Sequence, residues 1–249
     1  MFIEVTMLHI MRRIQDLKSF TLHAKDGELG RLREVFFDDS SWRVRYLVVE
    51  TGHWLVGRQV LITPEALGSI HEEKWTLQIE LTREQIETSP LMDTKQPLLS
   101  RQQEEEYHRH YNWLPYWRSG LLGYLGRSYE NKDKGEETED PHLRSSDEVS
   151  GYQVEARDGE VGYVEDFVID EKDWVIRYLE ISTHRGWFGK KILLAPTWIE
   201  QVDWEDRKVR VDLLREVIRS APEYEEGQLI GRDYEINLYS HYGRNQYWE

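Results

Sequence analysis

Short stretches of alternating apolar and polar residues, separated by turn residues, run through most of the chain. In the first half they occupy residues 19–24, 29–37, 42–50, 59–63 and 75–81. Alternation with a period of two predicts β-strands with one buried face, because successive side chains of a strand point to opposite sides. Short strands at this spacing, with turn signals between them, are typical of a small barrel or sandwich.

The clearest turn signal is the phrase Ala-Lys-Asp-Gly-Glu-Leu-Gly at residues 24–30. Asp26-Gly27 between apolar positions predicts a tight β-hairpin, because both turn residues must tolerate a positive φ. Gly30, three residues later, predicts a bulge or a close approach of two backbones rather than a second turn. These three residues are therefore assigned structural roles.

The same phrase returns 132 positions later as residues 156–162, and the pattern downstream of it returns as well. Positions 24–90 match positions 156–222 without a gap, and the match extends back to Met11-Arg12 against Leu143-Arg144. Beyond Pro90 the offset becomes 131, and the match resumes through Arg101/Arg232, Glu104/Glu235, His110/His241, Tyr116-Trp117/Tyr247-Trp248. So many matches at one offset indicate an internal duplication. The predicted fold is mainly β with short helices, in two small β-barrels.

The repeat also predicts the domain boundaries. The first unit spans residues 8–117 and the second spans 140–249, each with a C-terminal helix and tail. Residues 118–139 are assigned to a linker, and the whole charged, polar stretch Gly126–Ser150 is typical of a flexible connection.

Two helices are signalled in the first copy. Thr82-Arg83-Glu84-Gln85 fits a capping box, which predicts a short helix that stops before Pro90. Ser100 to Gln103 repeats the signature before a helix that runs to about Tyr111. The second copy has Leu214 in place of Thr82, so its helix must begin with another kind of cap.

Composition narrows the class of function. The chain has no cysteine, so disulfides, thiolate chemistry and cysteine-bound metals are excluded. A net charge of -15 repels phosphate backbones and anionic membrane surfaces, so we expect no nucleic-acid partner. No apolar run approaches the ~20 residues that span a bilayer, so we expect no membrane insertion. The lack of cysteine is compatible with a reducing compartment, and the expected location is cytoplasmic. The acidic balance favours solubility or a basic protein partner.

Three segments of the second copy resemble the PRC-barrel domain family. They are A-R-D-G-E-V-G-Y-V-E-D-F-V-I-D at 156–170, W-V-I-R-Y-L-E-I at 174–181 and K-K-I-L-L-A-P-T-W-I at 190–199. The Tyr-Trp tails are similar to those of stand-alone bacterial members, and the resemblance covers both copies. It implies a tandem protein with a small, strongly bent β-barrel in each copy.

Family members include the cytoplasmic part of the H subunit of photosynthetic reaction centres and the C-terminal domain of a ribosome maturation factor. The resemblance implies a platform for protein contacts, in electron transfer or in ribosome assembly, with no shared catalytic residue. The expected function is therefore a non-enzymatic interaction or assembly module. The alternative from another class is a sensor that holds a small molecule or ion between the two copies.

The sequence offers weak candidates for chemistry. His108 and His110 stand at i and i+2, which do not share a helical face, so a joint metal site is not expected. His110 recurs as His241, which favours a packing or hydrogen-bonding role. The carboxylates Asp38, Asp39, Asp170, Glu171 and Asp173 stand at turns, where such residues bond the local backbone. No catalytic residue, metal or cofactor is predicted, and no hydrolase, phosphate-binding or zinc-protease motif is present.

Arg45 and its counterpart Arg177 stand in the middle of a predicted strand. A half-buried arginine needs a carboxylate partner, and Asp26 or Glu50 in the first copy and Asp158 in the second are the candidates. Both arginines, together with Asp158, Gly159 and Gly162, are assigned structural roles.

The best candidates for protein contact are aromatic and aliphatic side chains between glycines. They lie in the loop after the third strand, at Trp54-Leu55-Val56 and Trp187-Phe188, and in the tails Tyr116-Trp117 and Tyr247-Trp248. Trp and Phe near an arginine such as Arg58 match the composition of interface hot spots. Two alternatives remain for the loop: it plugs the barrel mouth, or it supplies packing between the copies. Such packing, or a homodimer, would cover an apolar flank of each small barrel.

Overall fold

The computed structural model describes residues 10–92, 99–115, 142–183 and 189–248. The chain divides into two compact units, and neither is a single consecutive range. Unit 1 comprises Met1–Leu17, Ser40–Val44 and Ser146–Glu249, and unit 2 comprises Lys18–Asp39 and Arg45–Ser145. These units differ from the consecutive ranges 8–117 and 140–249, and the expected linker 118–139 lies outside the described residues.

The elements of the two halves correspond at the offset of the sequence repeat. The first half carries β1 (Met11–Arg13), α1 (Ile14–Leu17), β2 (Thr21–Ala24), β3 (Gly27–Asp38), β4 (Val44–Thr51), β5 (Gln59–Ile62), β6 (Leu67–His71), β7 (Thr76–Ile79), α2 (Arg83–Glu87) and α3 (Arg101–Tyr111). The second half carries β8 (Leu143–Ser145), α4 (Ser146–Val149), β9 (Gln153–Ala156), β10 (Gly159–Asp170), β11 (Val175–Ser182), β12 (Lys191–Leu194), β13 (Ile199–Asp203), β14 (Lys208–Val211), α5 (Arg215–Arg219) and α6 (Arg232–Tyr242). The predicted strands and both capping boxes are present.

The strands form two seven-stranded sheets. One has the order β12-β11-β10-β9-β14-β13 with β1 added at β10, and the other has the order β5-β4-β3-β2-β7-β6 with β8 added at β3. Neither sheet closes on itself in the described residues, so the prediction of closed barrels is wrong. Pro64 and Pro196 each begin a 3-10 turn between the two end strands. Because proline lacks an N–H and the turn redirects the chain, those end strands do not continue as a hydrogen-bonded ladder.

Each sheet takes one strand from the other half of the sequence. β1 pairs antiparallel with β10, so that Met11 lies opposite Asp170. β8 pairs antiparallel with β3, so that Leu143 lies opposite Asp38. The assignment of Gly126–Ser150 to a flexible connection is therefore wrong for Leu143–Val149, which forms β8 and α4. A three-residue strand is too short for alternation to reveal it.

The hairpin glycines allow the long strands to bend against their neighbours. A Cβ atom on Gly30 would lie 2.0 Å from the carbonyl oxygen of Glu50, and one on Gly162 would lie 2.0 Å from that of Ser182. The β2–β3 and β9–β10 ladders both shift register beside these glycines. The close backbone approach that the sequence predicts at Gly30 is thus present in both units.

The core of each unit lies where the bent sheet folds over its own inner face. In unit 2 it includes Phe36, Tyr46 and Leu47, none of which exposes a measurable side-chain surface. Tyr178 and Leu179 occupy the matching positions of unit 1 and are equally buried. Burial of each such side chain contributes about 1.5–3 kcal/mol to the free energy of unfolding, relative to leaving it exposed.

The chain has no cysteine of its own, so pairs of introduced cysteines can test the strand exchange. Arg12 lies opposite Ile169 in the β1–β10 ladder, and Phe37 is the counterpart of Ile169 in the first copy. Opposed residues of antiparallel strands have Cα atoms about 4.5–5.5 Å apart, within disulfide range. We expect Arg12→Cys/Ile169→Cys to oxidise to an intramolecular disulfide and Arg12→Cys/Phe37→Cys to remain reduced, as read by peptide mapping. Cross-linking of the second pair instead would show that the strands are not exchanged.

Candidate functional site

The hairpin aspartates hold the helix that follows each sheet. The carboxylate of Asp26 accepts a hydrogen bond from the backbone N–H of Arg83 at 2.8 Å, and Asp158 accepts one from Arg215 at 2.8 Å. Both amides are the first of their helices. Asp158 therefore satisfies an N-terminal amide of α5, where Leu214 offers no side-chain cap.

A basic residue binds the C-terminal end of the same helix in each copy. It lies at the end of the loop that follows β4 in the first copy and β11 in the second. The guanidinium of Arg58 donates to the carbonyl oxygens of Glu87 and Ser89. In unit 1 the ammonium of Lys190 donates to the carbonyl of Arg219 at 3.0 Å. Cations are favourable at the C-terminal end of a helix, where carbonyls lack partners. Arg58, which the sequence analysis linked to an interface hot spot, is engaged in this contact.

The recurring histidines join the two helices of each copy. Nε2 of His110 donates to the carbonyl of Gln85 at 2.7 Å, and Nε2 of His241 donates to that of Val217 at 2.7 Å. The hydrogen-bonding role that their recurrence predicts is confirmed.

A buried glutamate anchors the long helix of each copy to its sheet. The hydroxyl of Tyr46 on β4 donates to Glu104 at 2.9 Å, and Arg101 lies 3.1 Å from the other oxygen of that carboxylate. The glutamate is fully buried, so it needs both partners to offset its loss of hydration. In unit 1 the same three positions hold Tyr178, Glu235 and Arg232.

The strand arginines pair with turn carboxylates of their own unit. Arg45 lies 2.9 Å from Asp38, and Arg177 lies 3.2 Å from Asp170 and also contacts Asp173. A carboxylate partner was expected, but the structure gives these aspartates in place of the predicted Asp26, Glu50 and Asp158. The sequence analysis interpreted Asp38 and Asp170 only as turn formers. The spacing of seven residues across a tight turn brings each pair together on adjacent strands.

The neighbouring turn carboxylates receive the exchanged strands. Glu171 contacts the guanidinium of Arg12 from β1, and Asp39 lies 3.0 Å from Arg144 of β8. His142 lies 2.9 Å from Asp39 as well. The recurrence of an arginine in Met11-Arg12 and Leu143-Arg144 was the available sequence signal for this docking.

The loop at Trp54-Leu55-Val56 packs partly onto its own unit. The indole N–H of Trp54 donates to the carbonyl of Leu29 at 2.8 Å, and the Arg83 guanidinium lies 5.1 Å from the ring centre. Val56 points outward with 82% of its surface exposed. The matching residues Trp187 and Phe188 lie outside the described residues.

The C-terminal tail lies on helix α6 and the sheet of unit 1. The hydroxyl of Tyr247 donates to Glu235 at 3.0 Å, and the guanidinium of Arg177 lies 4.5 Å from its ring centre. Trp248 covers the guanidinium of Arg232 at 3.9 Å. The tail thus shields the buried carboxylate from solvent with aromatic and cation–π contacts. Tyr116 and Trp117, its counterparts, lie outside the described residues.

Unit 1 contains a charged cluster that the sequence analysis missed. Glu180 on β11 is fully buried, and the Lys191 ammonium lies 2.8 Å from it and 3.0 Å from Glu165. Lys191 also contacts Glu226, and Arg13 of β1 lies 3.3 Å from Glu226 and 3.7 Å from Glu180. The three carboxylates lie within 4.8 Å of one another, a spacing that suits a cation, and the ammonium of Lys191 occupies that position.

The protonation equilibria of the cluster reflect this burial. Burial raises the pKa of Glu180, against the opposing effects of Lys191 and Arg13. Burial acts to lower the pKa of Lys191, but hydrogen bonds to Glu180, Glu226 and Glu165 outweigh it, and the pKa is raised. Lys191 is therefore a fixed positive charge and not a nucleophile or proton donor at neutral pH.

The cluster distinguishes one copy from the other. Val48 and Gln59 stand where unit 1 has Glu180 and Lys191, and Ser145 stands where it has Arg13. Glu180 interrupts the apolar run of Tyr178, Leu179 and Ile181 in β11, which is the signal that sequence reasoning could have used. A charged side chain in a buried strand is stable only with a partner, so Glu180 indicates an ion pair that the first copy lacks at this position.

Helix α3 of unit 2 borders a surface cavity of about 390 Å³ at its C-terminal end, lined by residues including His108, Arg109 and Trp113. Burial lowers the pKa of His108 below its ordinary value, so this imidazole is mainly neutral near pH 7. Its Nε2 lies 3.0 Å from the hydroxyl of Tyr46. The cavity is formed by unit 2 alone.

Among the helices in the described ranges, none has the length and apolar character needed to cross a bilayer.

Residues 142–218 match the PRC-barrel domain family. The matched range begins at β8 and ends within α5, so it contains Asp158, Gly162 and the strands of unit 1 from β9 to β14. This part of the chain is thus a PRC-barrel domain, and this class of domain is compatible with protein interaction. A search of curated proteins found no match to the chain.

The charged cluster predicts that removing Lys191 alone destabilises the protein more than removing Lys191 and Glu180 together. Lys191→Gln leaves Glu180 buried without its closest cation, so we expect a loss of about 3–5 kcal/mol in the free energy of unfolding. Glu180→Val/Lys191→Gln installs the pair that the first copy carries, and we expect it to regain most of that loss. Urea denaturation of the full chain measures both. A double variant as unstable as the single one would contradict this account of the cluster.

The loop contact predicts a second stability effect. Trp54→Ala removes the ring and its bond to Leu29, so we expect a loss of about 2 kcal/mol in the free energy of unfolding. Trp54→Phe keeps a ring but loses the N–H donor, so we expect a loss of about 1 kcal/mol. Denaturation of both variants beside the wild type measures these values. Wild-type stability of Trp54→Ala would show that this ring does not support the fold.

Proposed function

We propose that the chain is a tandem PRC-barrel protein that acts as a non-enzymatic interaction or assembly module in the cytoplasm. The family match at 142–218 carries this proposal, because positions 10–86 of the first copy repeat that range at the same offset. The first copy also repeats its contacts: the aspartate on the first amide of α2, the cation at the helix end and the tyrosine–glutamate–arginine set.

The recurrence of these contacts supports a shared fold more strongly than apolar identities do. A buried carboxylate is destabilising unless its partners are in place, so Glu104 and Glu235 require the whole set to be retained together. Most of the described polar side chains that recur in both copies bond within their own unit. Their role is to hold a rigid framework, which suits a platform for a partner.

Family members serve in photosynthetic reaction centres and in ribosome maturation, and by analogy we propose a partner from electron transfer or ribosome assembly. The acidic balance of -15 favours a basic partner surface. On unit 2 the proposed contact is the crest of the loop at Leu55 and Val56. Trp54 fixes that crest from below through its bond to Leu29, and Val56 projects into solvent.

The experiment is cross-linked affinity capture of the tagged full chain in its own host, quantified by mass spectrometry. Val56→Lys places on the crest a charge that repels a basic partner and removes no packed contact, so we expect at least a tenfold loss of one captured protein with unchanged thermal stability. Leu229→Lys is the matched control, because Leu229 is 74% exposed and lies on unit 1. Equal capture by both variants would exclude the loop as the contact. If no protein is enriched over an untagged control, the proposed function is wrong.

A further inference from the structure

The exchanged strands β1 and β8 are related by the repeat and pair in the same register. Met11 lies opposite Asp170 of β10, and Leu143 lies opposite Asp38 of β3, the counterpart of Asp170 in the first copy. The second residue of each strand is an arginine that contacts a carboxylate at the adjacent turn. These contacts are alike for both strands, so they do not determine which strand pairs with which sheet.

The third residue of the strand differs between the copies. In β1 it is Arg13, whose guanidinium lies 3.7 Å from Glu180 and 3.3 Å from Glu226. Arg13 and Glu180 are both buried, so each needs an opposite charge to offset its lost hydration. In β8 the third residue is Ser145, whose hydroxyl donates to Glu34 on β3.

The surroundings of this third residue differ in a matching way. Unit 1 has Glu180 and Lys191, and unit 2 has Val48 and Gln59 at the corresponding positions. Val48 is fully buried and carries no charge. Paired with the sheet of unit 2, Arg13 would therefore lose Glu180 and gain an aliphatic side chain in its place. A serine at this place in unit 1 would leave Glu180 with one cation instead of two.

We propose that the ion pair of Arg13 with Glu180 selects the strand that completes the sheet of unit 1, so that β1 pairs with β10 and the related strand β8 does not. Arg13 is thus a specificity-determining residue of the strand exchange, whereas the arginine before it contributes affinity without selection. Charge discriminates in this way because the wrong strand leaves a buried charge without compensation. The inference concerns how the chain assembles and stands apart from the proposed function.

The experiment compares Arg13→Ser in two forms of the full chain. One form is otherwise wild type, and the other carries Glu180→Val/Lys191→Gln, which gives unit 1 the side chains of unit 2. Hydrogen exchange of residues 11–13, divided by the intrinsic rates, gives the opening constant of β1. In the first form we expect Arg13→Ser to raise this constant at least about tenfold, because Glu180 loses a cation. In the second form we expect a rise of about threefold or less.

The difference between the two forms separates selection from other contributions of the side chain. If Arg13 acted only through packing or through its bond to Asp16, its replacement would raise the opening constant equally in both forms. That result would overturn the proposal, and so would an unchanged constant in the first form. Arg12→Ser is the matched control, because Arg12 contacts Glu171, which both forms retain. Its effect should be the same in the two.

The reciprocal substitution in unit 2 provides an independent test if the second form does not fold. Ser145→Arg places a cation in the unit that has Val48 in place of a glutamate, so we expect the opening constant of residues 143–145 to rise at least about tenfold. Val48→Glu/Gln59→Lys installs the charges of unit 1, and in that form Ser145→Arg should not raise the constant. A tenfold rise in both forms would overturn the proposal.

Discussion

The pairing of β1 with β10, and of β8 with β3, determines which residues build each sheet. Arg12 and Arg144 carry the matching charges onto Glu171 and Asp39, at the turns that end β10 and β3. The chain must therefore place residues that are 159 positions apart, Arg12 and Glu171, side by side before unit 1 is complete. Long-range pairings of this kind are slow to form, because loop closure opposes them entropically before the contacts exist.

The described polar contacts fall into two groups with different behaviour across the copies. Contacts that set the fold recur position by position, such as Asp26 with Arg83 and Asp158 with Arg215. The cluster of Glu180 and Lys191 does not recur, because Val48 and Gln59 occupy those places in the first copy. Divergence has therefore affected a site beside the docked segment while leaving the scaffold contacts intact.

Sequence reasoning recovered the features whose causes are local. Asp-Gly turns, the capping boxes at Thr82 and Ser100, and alternating strands each depend on neighbours in the chain. The close approach at Gly30 was also accessible, since a glycine inside a strand implies a backbone nearby. The open sheets were not predicted, because closure depends on how strongly the whole sheet bends and on the turns at Pro64 and Pro196.

The candidate site was less accessible for the same reason. Arg13, Glu180 and Glu226 come from three distant parts of the chain, and no spacing rule relates them. The partner of Arg45 was misplaced because Asp38 becomes adjacent only after the turn folds. The loop residues also differ in exposure, because Trp54 contacts its own unit while Val56 faces water. Composition alone does not predict which of these side chains is exposed.

The exchange of β1 and β8 has a consequence for how such a chain responds to dilution. A protein with one copy of this repeat that kept the exchange would take its docking strand from a second molecule, and its folding would weaken as concentration fell. Two copies in one chain supply that strand at an effective concentration set by the connecting residues alone. The two docking positions then need not accept the same segment. Arg13 contacts Glu180 at one position, whereas Ser145 contacts Glu34 at the other, so the two positions differ in the chemistry of their contacts.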